Sequence, residues 1–371
     1  MSKRALGIIN IEPSYVHVEG IEDYRPISAT SFMGRYRIID FILSNLTNSG
    51  VNNIEVQVKN RPRSTIQHIQ RTDYNINTKR GHIRILHGEK PIPNEIYNTD
   101  VASLMANLKY FEEDNSPYVI LAPSHFIYVQ DFSKMLDYHI ESKNDITVLY
   151  QNVNTANEDF LMCDTLDIDE NKVITNIDKN LGKGKRAKVS LETYIMSKKI
   201  FIDMIYAALS TSSLYSLSDI IADGLDVFKI GGYLHTGYAA CISTLNSYYK
   251  ASMDIKNEKE LSNIFSDDWP IYTATNDTCP TTYTKTSNVS NCVVGNGCII
   301  EGTVENCVIG RNVVVKEGAV IKDSIIMPDA LINKNVKMDK CVVDRLAIVT
   351  HIKALNGSDH APLYVKRGDR I

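Results

Sequence analysis

Two rhythms of apolar and polar residues divide the chain. Up to about residue 255, short and nearly continuous apolar runs alternate with amphipathic stretches. The runs "ALGIINI" (5–11), "NIEVQV" (53–58), "HIRILH" (82–87), "YVILAP" (118–123), "DITVLYQ" (145–151) and "VSLETYIM" (189–196) predict strands. Helices are predicted over 34–48 with Gly50 as the stop signal, over 62–71 at Pro62, over about 100–113, over 132–142 and over 198–210. Strands that are apolar throughout need cover on both faces, so this part reads as an α/β domain with a mainly parallel sheet. Ligands of such sheets sit beyond the carboxyl ends of the strands, where "ILAP" runs into its next segment.

The second rhythm begins at Val289. Val308, Val314, Val320, Ile326, Ile332 and Met338 fall six residues apart, and apolar neighbours at 313, 319, 325 and 331 keep the same step. Glycines at 295, 297, 302, 310 and 318 fall in the turns. A period of six with one apolar anchor per step predicts three short flat faces per coil, a parallel β-helix. Cys292 and Cys298, also six apart, read as stacked core thiols rather than metal ligands. Between the two patterns lies a polar, Thr-rich linker whose Trp269-Pro270 pair is expected to anchor it on the first domain. The expected division is an α/β domain over 1–256, a linker over 257–288 and a β-helix over 289–371.

Composition narrows the function classes. A chain of 371 residues, 43% hydrophobic and 23% charged, can bury a large two-domain core. A net charge of −4 argues against a nucleic-acid binder, which needs a basic excess to neutralise phosphates. No apolar run approaches the ~20 residues of a membrane span, and "MSKRALGIINIEP" lacks the pattern of a signal peptide. Seven cysteines without a C-x-x-C pair fit reduced thiols, so a cytoplasmic location is expected.

The stretch "GRYRIIDFILSNLTNSGV" (34–51) resembles the ADP-glucose pyrophosphorylase (glucose-1-phosphate adenylyltransferase) family, in which a similar element follows a phosphate loop. "YVILAPSHFIYVQDFSKMLDYHI" (118–140), "STLNSYYKASMDI" (243–255), "DDWPIYT" (267–273) and "CVVDRLAIV" (341–349) resemble it in the same order, so the likeness spans nearly the whole chain. It implies a Rossmann-like nucleotidyltransferase domain followed by a left-handed parallel β-helix. It also implies a family activity: ATP and glucose-1-phosphate give ADP-glucose and pyrophosphate for bacterial glycogen synthesis.

That chemistry needs a glycine-rich loop for the ATP phosphates, carboxylates for Mg²⁺ and a basic group for the sugar phosphate. The family's G-G-x-G-T-R-L loop is absent: "LGII" runs into "NIEPSYVHV", with no glycine between Gly7 and Gly20 and with Glu12 and Pro13 in the turn. Glutamate repels phosphate, and proline removes a backbone donor. The family's K-P-A lysine is Arg25 here, and the magnesium-binding Asp of its G-D-H-I-Y is Ser124. The second metal Asp falls on Cys241, and Asp100 stands two positions from the acidic residue of the family's R-G-T-A-D. The pattern resembles the non-catalytic D-type regulatory subunit of this family. The implied function is a catalytically silent or very weak subunit activating a catalytic subunit in a hetero-oligomer, expected to be a heterotetramer. No cofactor is expected in this chain, with Mg²⁺ confined to the catalytic partner. The alternatives are an active adenylyltransferase with a rebuilt phosphate loop and a stand-alone sugar-phosphate sensor. An acyltransferase built on the coils has only His351 as a candidate base.

By the same resemblance, Arg37 matches an arginine lining an effector-anion site, and Tyr97, Asp178, Lys179 and Ser190 fall where the family contacts glucose-1-phosphate. Glu192 replaces a glycine there and would crowd and repel a phosphate. Bland readings stand beside these: Arg37 paired with an acidic neighbour, and Lys179 and "KNLGKGKRAK" (179–188) as a solvated loop rather than a subunit or anion contact. Glu112 and Glu113 occupy the place of the family's adenylate-binding arginine pair. His125 reads as structural, and Asp344 with Arg345 as a salt bridge ending the coils rather than an effector contact.

Overall fold

The computed structural model describes residues 4–18, 20–58, 61–87, 99–212 and 215–371. The apolar runs assemble into one nine-stranded sheet. Its order is His82–His87, Asn53–Val58, Ala5–Asn10, Tyr118–Pro123, Ala187–Ser197, Ile146–Val153 and Ile230–Leu234. The first four of these strands are parallel, while Ala187–Ser197 runs antiparallel to both its neighbours. A hairpin, Asp164–Ile168 with Ile174–Lys179, extends the sheet through the pairing of Val189 with Thr165.

Alternation along the strands sends side chains to two cores. Ile9, Ile54 and Ile120 meet the helices Ile38–Asn48 and Phe132–Ser142 on one face. Ile8, Leu121 and Val148 meet Asp100–Ala106, Lys198–Thr211 and Leu217–Asp223 on the other. Fully burying each such side chain contributes about 1.5–3 kcal/mol.

Several boundaries differ from the sequence expectation. The helix expected over 34–48 begins at Ile38, because a small hairpin, Ser31–Phe32 with Tyr36–Arg37, precedes it. Gly34 turns that hairpin at φ +75, and a Cβ there would lie 2.9 Å from the Ile309 carbonyl oxygen of the β-helix. The helix at Pro62 spans only Arg63–Ile69. The one expected over 100–113 breaks at Asn107, whose Nδ2 turns back to donate to the Ser103 carbonyl at 3.0 Å. The hairpin at 164–179 and the helices Leu217–Asp223, Leu245–Asp254 and Glu258–Ile264 were not legible as elements.

The C-terminal part is a left-handed parallel β-helix of three five-stranded sheets. Its coils correct the strict six-residue step. Ile299 pairs with Val314, fifteen residues on, but Val314 pairs with Leu331, seventeen on. The inward residues Ile309, Val315, Ile321, Ile326, Ile332, Met338 and Val343 follow steps of six, six and five. A fixed step of six therefore drifts: Val308 faces the α/β domain, Val314 and Val320 are half-buried, and only Ile326, Ile332 and Met338 point inward. The thiol register is corrected as well. Cys292 stacks on Cys307, whereas Cys298 stacks on Val313, each fifteen residues further along.

One sheet of the β-helix docks on the α/β domain, with Val293, Val308, Ile325 and Val342 packed among Phe32, Phe41 and Tyr248. Trp269 crosses the junction, its indole Nε1 donating to Asn45 Oδ1 at 3.0 Å, and the Tyr272 N–H donates to Ser44 Oγ at 2.9 Å.

Candidate functional site

Beyond the carboxyl ends of the central strands, where this sheet would seat a ligand, the chain's own side chains meet. Strand Ala5–Asn10 runs into a loop that places Tyr15 over strand Tyr118–Pro123. The Tyr15 hydroxyl donates to Glu192 Oε1 and lies 3.1 Å from His125 Nε2 and 3.6 Å from Cys163 Sγ. Cys163 Sγ is in turn 3.7 Å from Cys241 Sγ. Glu192 reaches this cluster because the register shifts between Ser190 and Thr193, which leaves it at φ +49 with its N–H donating to Ser190 Oγ at 3.1 Å. Such backbone persists only where the surroundings over-determine it.

Burial sets the charge state of the cluster. It pushes the Glu192 carboxyl up to about 7, opposed by the Tyr15 hydrogen bond. It pulls His125 down to about 3 and raises both the Tyr15 phenol and the Cys163 thiol. Near neutral pH the site therefore holds a neutral imidazole, a phenol and the Cys163 thiol around a half-ionised carboxyl. Ser124 is buried here with its Oγ lacking a hydrogen-bond partner among the described residues. Mg²⁺ wants several oxygen ligands with at least one carboxylate. Ser124 and Cys241 offer none, Glu192 is engaged by Tyr15, and no group of three or more His, Cys, Asp or Glu suited to a metal occurs among the described residues. The residues present do not fit the ion.

The predicted site residues are scattered around this cluster. Lys179 is exposed, as its solvated reading expects, and pairs with Asp164 at 2.5 Å; Ser190 serves the Glu192 bulge. Asp178 is exposed and accepts from Asn176 Nδ2 at 2.8 Å. Asp100 is structural, accepting from Asn10 Nδ2 at 2.9 Å and from the N–H of Leu217 at 3.2 Å. Tyr97 lies outside the described residues. Around Lys179, the nearby charges acting on Glu192 include Asp164 and Asp100, so this side of the cluster disfavours a phosphate.

Arg37 belongs to a different place. A cavity of about 800 Å³ opens between the α/β domain and the β-helix, lined among the described residues by nine arginines and one carboxylate, Asp329. Arg25, Arg35 and Arg37 come from the loop and hairpin before helix Ile38–Asn48, and Arg61, Arg63 and Arg71 from the segment after strand Asn53–Val58. Arg311, Arg345 and Arg367 come from the coils. Arg311 and Arg345 are aligned because they stand two seventeen-residue coils apart.

The arginines are incompletely paired. Arg37 Nη1 donates to the Ser64 carbonyl at 2.6 Å, while Asp40 accepts from the Arg37 backbone N–H rather than from its guanidinium. Burial, with Arg345 and Arg25 adding to it, lowers Arg37 to about 10, and burial beside Arg35 lowers Arg311. Arg25 is 4% exposed and pairs with Asp344 at 2.8 Å, yet its Nε and Nη1 have no partner among the described residues, nor has Arg345 Nε. Asp344 and Arg345 thus do not form the mutual salt bridge expected from sequence. Asp344 holds Arg25 and Tyr364, and Arg345 holds Asp329 at 2.8 Å. Nor does Arg25 stand in for a phosphate-loop lysine, since Asp344 ties it to the domain junction. Crowded guanidiniums with free donors form a seat for a ligand with several negative charges.

The rest of the cavity was missed in the sequence. "GRYR" and "NRPRSTIQHIQR" do carry closely spaced arginines, but their convergence with Arg311 and Arg367 depends on the coil register.

An α/β nucleotide-binding sheet with hexapeptide coils is the architecture of sugar-nucleotide transferases, and comparison with known proteins agrees. Residues 25–258 match the model of the nucleotidyl transferase family, and residues 278–361 match a GlmU-like C-terminal hexapeptide family. A "Glycogen biosynthesis protein GlgD" of Bacillus subtilis is 28% identical over 99% of this chain and 97% of its own length. Its namesake from Geobacillus stearothermophilus is 29% identical over 86% of this chain and 83% of its own length. A "Glucose-1-phosphate adenylyltransferase" of Lachnospira eligens is 30% identical over 78% of this chain and 69% of its own. The chain belongs to the nucleotidyl transferase family, in its ADP-glucose pyrophosphorylase branch. Among the described residues, no helix is long and apolar enough to cross a membrane.

Proposed function

We propose that the chain is a catalytically silent regulatory subunit of a glucose-1-phosphate adenylyltransferase, acting in glycogen synthesis by assembling with a catalytic homologue. The observation that carries this reading is the self-paired strand-end cluster. The Tyr15 hydroxyl bridges Glu192 and His125 where substrates would sit, and Ser124 and Cys241 stand where the resemblance puts metal carboxylates. Losing one electrostatic device of this kind costs ~10²–10³ in rate, and several are missing together. Mg²⁺ then belongs to the catalytic partner. The similarity to two proteins named for glycogen biosynthesis, at 28% and 29% identity over 97% and 83% of their own length, supports the pathway.

The arginine cavity supports the regulatory half. An anion bound there influences a partner only by favouring one arrangement of the assembly over another. The cavity also favours a second reading, a sugar-phosphate sensor that works without a partner.

Mixing the purified chain with a catalytic homologue tests both. The expected result is one hetero-oligomeric species by mass, whose ADP-glucose formation responds to a sugar bisphosphate differently from the homologue alone. Two proteins that migrate separately, with unchanged kinetics, would leave only the sensor.

A further inference from the structure

Cys292 and Cys307 lie at the first turn of the β-helix, where its sheet docks on the α/β domain. Val293 pairs with Val308, so the two cysteines are direct neighbours in adjacent coils. Adjacent strands lie about 4.8 Å apart, inside the roughly 4.4–6.8 Å between Cα atoms that a disulfide spans. The Cys307 N–H donates to Cys292 Sγ at 3.3 Å. The Cys292 Sγ also contacts the Ser290 carbonyl at 3.0 Å. Lys256, from the end of the α/β domain, brings its ammonium to Asn306 beside the pair. Cys292 is partly exposed because its strand is the outermost of its sheet, whereas Cys307 is covered by the next coil.

We propose that Cys292 and Cys307 form a hydroperoxide-reactive dithiol at this seam, with Cys292 the attacking sulfur and Cys307 the resolving one. In the first step the Cys292 thiolate attacks one peroxide oxygen and the O–O bond breaks. Cys292 becomes a sulfenic acid, and hydroxide (or alkoxide) leaves with the electron pair. In the second step Cys307 attacks the sulfenic sulfur, its thiol proton goes to the departing hydroxyl, and water leaves as the disulfide forms. Two thiols are oxidised and one peroxide is reduced.

Electrostatics agree with the assignment of roles. The Cys292 thiol is lowered to about 7, first by the Cys307 side chain, then by the Cys307 N–H and the Lys256 ammonium, against an opposing effect of burial. Burial raises Cys307 well above the ordinary thiol range. About half of Cys292 is then thiolate at neutral pH, against a few per cent for a free cysteine near 8.5. Lower intrinsic nucleophilicity offsets part of that gain. The other close pair, Cys163 with Cys241, is 0% and 5% exposed, and burial raises Cys163, so it is shielded from the same reagent.

Peptide mapping of the wild-type chain after dilute hydrogen peroxide, without reductant, tests this directly. A Cys292–Cys307 cross-link is expected before any change at Cys163 or Cys241. Cys307→Ser is expected to leave a sulfenic acid on Cys292 that dimedone traps. Iodoacetamide labelling of untreated protein gives an independent reading, with a midpoint near pH 7 for Cys292. Cys292 remaining reduced while exposed Cys279 is oxidised, or labelling with a midpoint at or above that of a free thiol, would overturn the proposal. So would dimedone adducts on wild-type Cys292 without the cross-link.

Discussion

The strand-end cluster and the arginine cavity are two polar regions with opposite bookkeeping of charge. In the first, the charged groups are paired within the chain or shifted toward neutrality by burial: Tyr15 with Glu192, His125 as neutral imidazole, Lys179 with Asp164. In the second, among the described residues, nine arginines line a cavity with one carboxylate, Asp344 pairs with Arg25 from behind it, and buried guanidinium nitrogens of Arg25 and Arg345 have no partner. Both regions sit where this architecture places ligands. Among the described residues the first leaves neutral atoms unmet, Ser124 Oγ and His125 Nδ1, whereas the second leaves unmet donors on charged groups, which cost the most to bury. The contrast separates a site that has closed on itself from one held open.

The largest effect expected is at the support of the open region. Asp344→Asn leaves the Arg25 guanidinium buried without its counter-charge, and should lower unfolding stability by roughly 3–5 kcal/mol in denaturant titrations. A loss under 1 kcal/mol would mean that Arg25 is already solvated and the cavity less tightly built.

Next comes the closed region. The raised carboxyl of Glu192 contributes stability that is complete below about pH 4.5 and disappears as pH rises through about 7. Glu192→Gln keeps an oxygen for the Tyr15 hydroxyl but cannot ionise. It should therefore gain on the wild type by about 3 kcal/mol between those two pH values. His125, lowered to about 3, and His139 and His235, each lowered to about 4, destabilise both proteins as pH falls below about 6.5, so they cancel in the difference. A pH-independent difference would show that Glu192 is solvated and the site less closed.

Ligand binding sharpens the contrast further. Arg35→Ala and Arg311→Ala should each weaken binding of inorganic triphosphate by roughly tenfold or more, with strong salt dependence, as loss of a charge-assisted bond of about 1.5–3 kcal/mol requires. Tyr15→Phe should leave that affinity unchanged in calorimetry. The smallest effect belongs to the anchor that holds both regions in register: Trp269→Phe removes the indole bond to Asn45 and should cost about 1 kcal/mol.

Much of the frame was legible from periodicity. Strands such as "HIRILH" and "YVILAP" and the helix 132–142 fall where apolar spacing puts them, since each is buried on the side its pattern names. Helix starts were less legible, because Gly34 and the hairpin around it answer to the approach of the β-helix, a contact far away in sequence. The coils were recognisable as hexapeptides, yet five-residue corners shift the register so that Val308 faces outward from its own core. That Ser124 and Cys241 carry no carboxylate could be read directly. What fills the space could not, since Tyr15, Cys163 and Glu192 meet only through a strand bulge. The arginine cavity was visible as single residues, Arg37 foremost, but its convergence depends on stacking two coils against a hairpin.

Product formation by the isolated chain tests the central claim most directly. With ATP, glucose-1-phosphate and Mg²⁺ supplied in excess, ADP-glucose should not rise above the protein-free blank, for the wild type or for Ser124→Asp with Cys241→Asp, since Tyr15 and Glu192 still fill the seat. Steady turnover by the wild-type chain, diminished by Tyr15→Phe or Glu192→Gln, would show a working centre where the structure places a closed one.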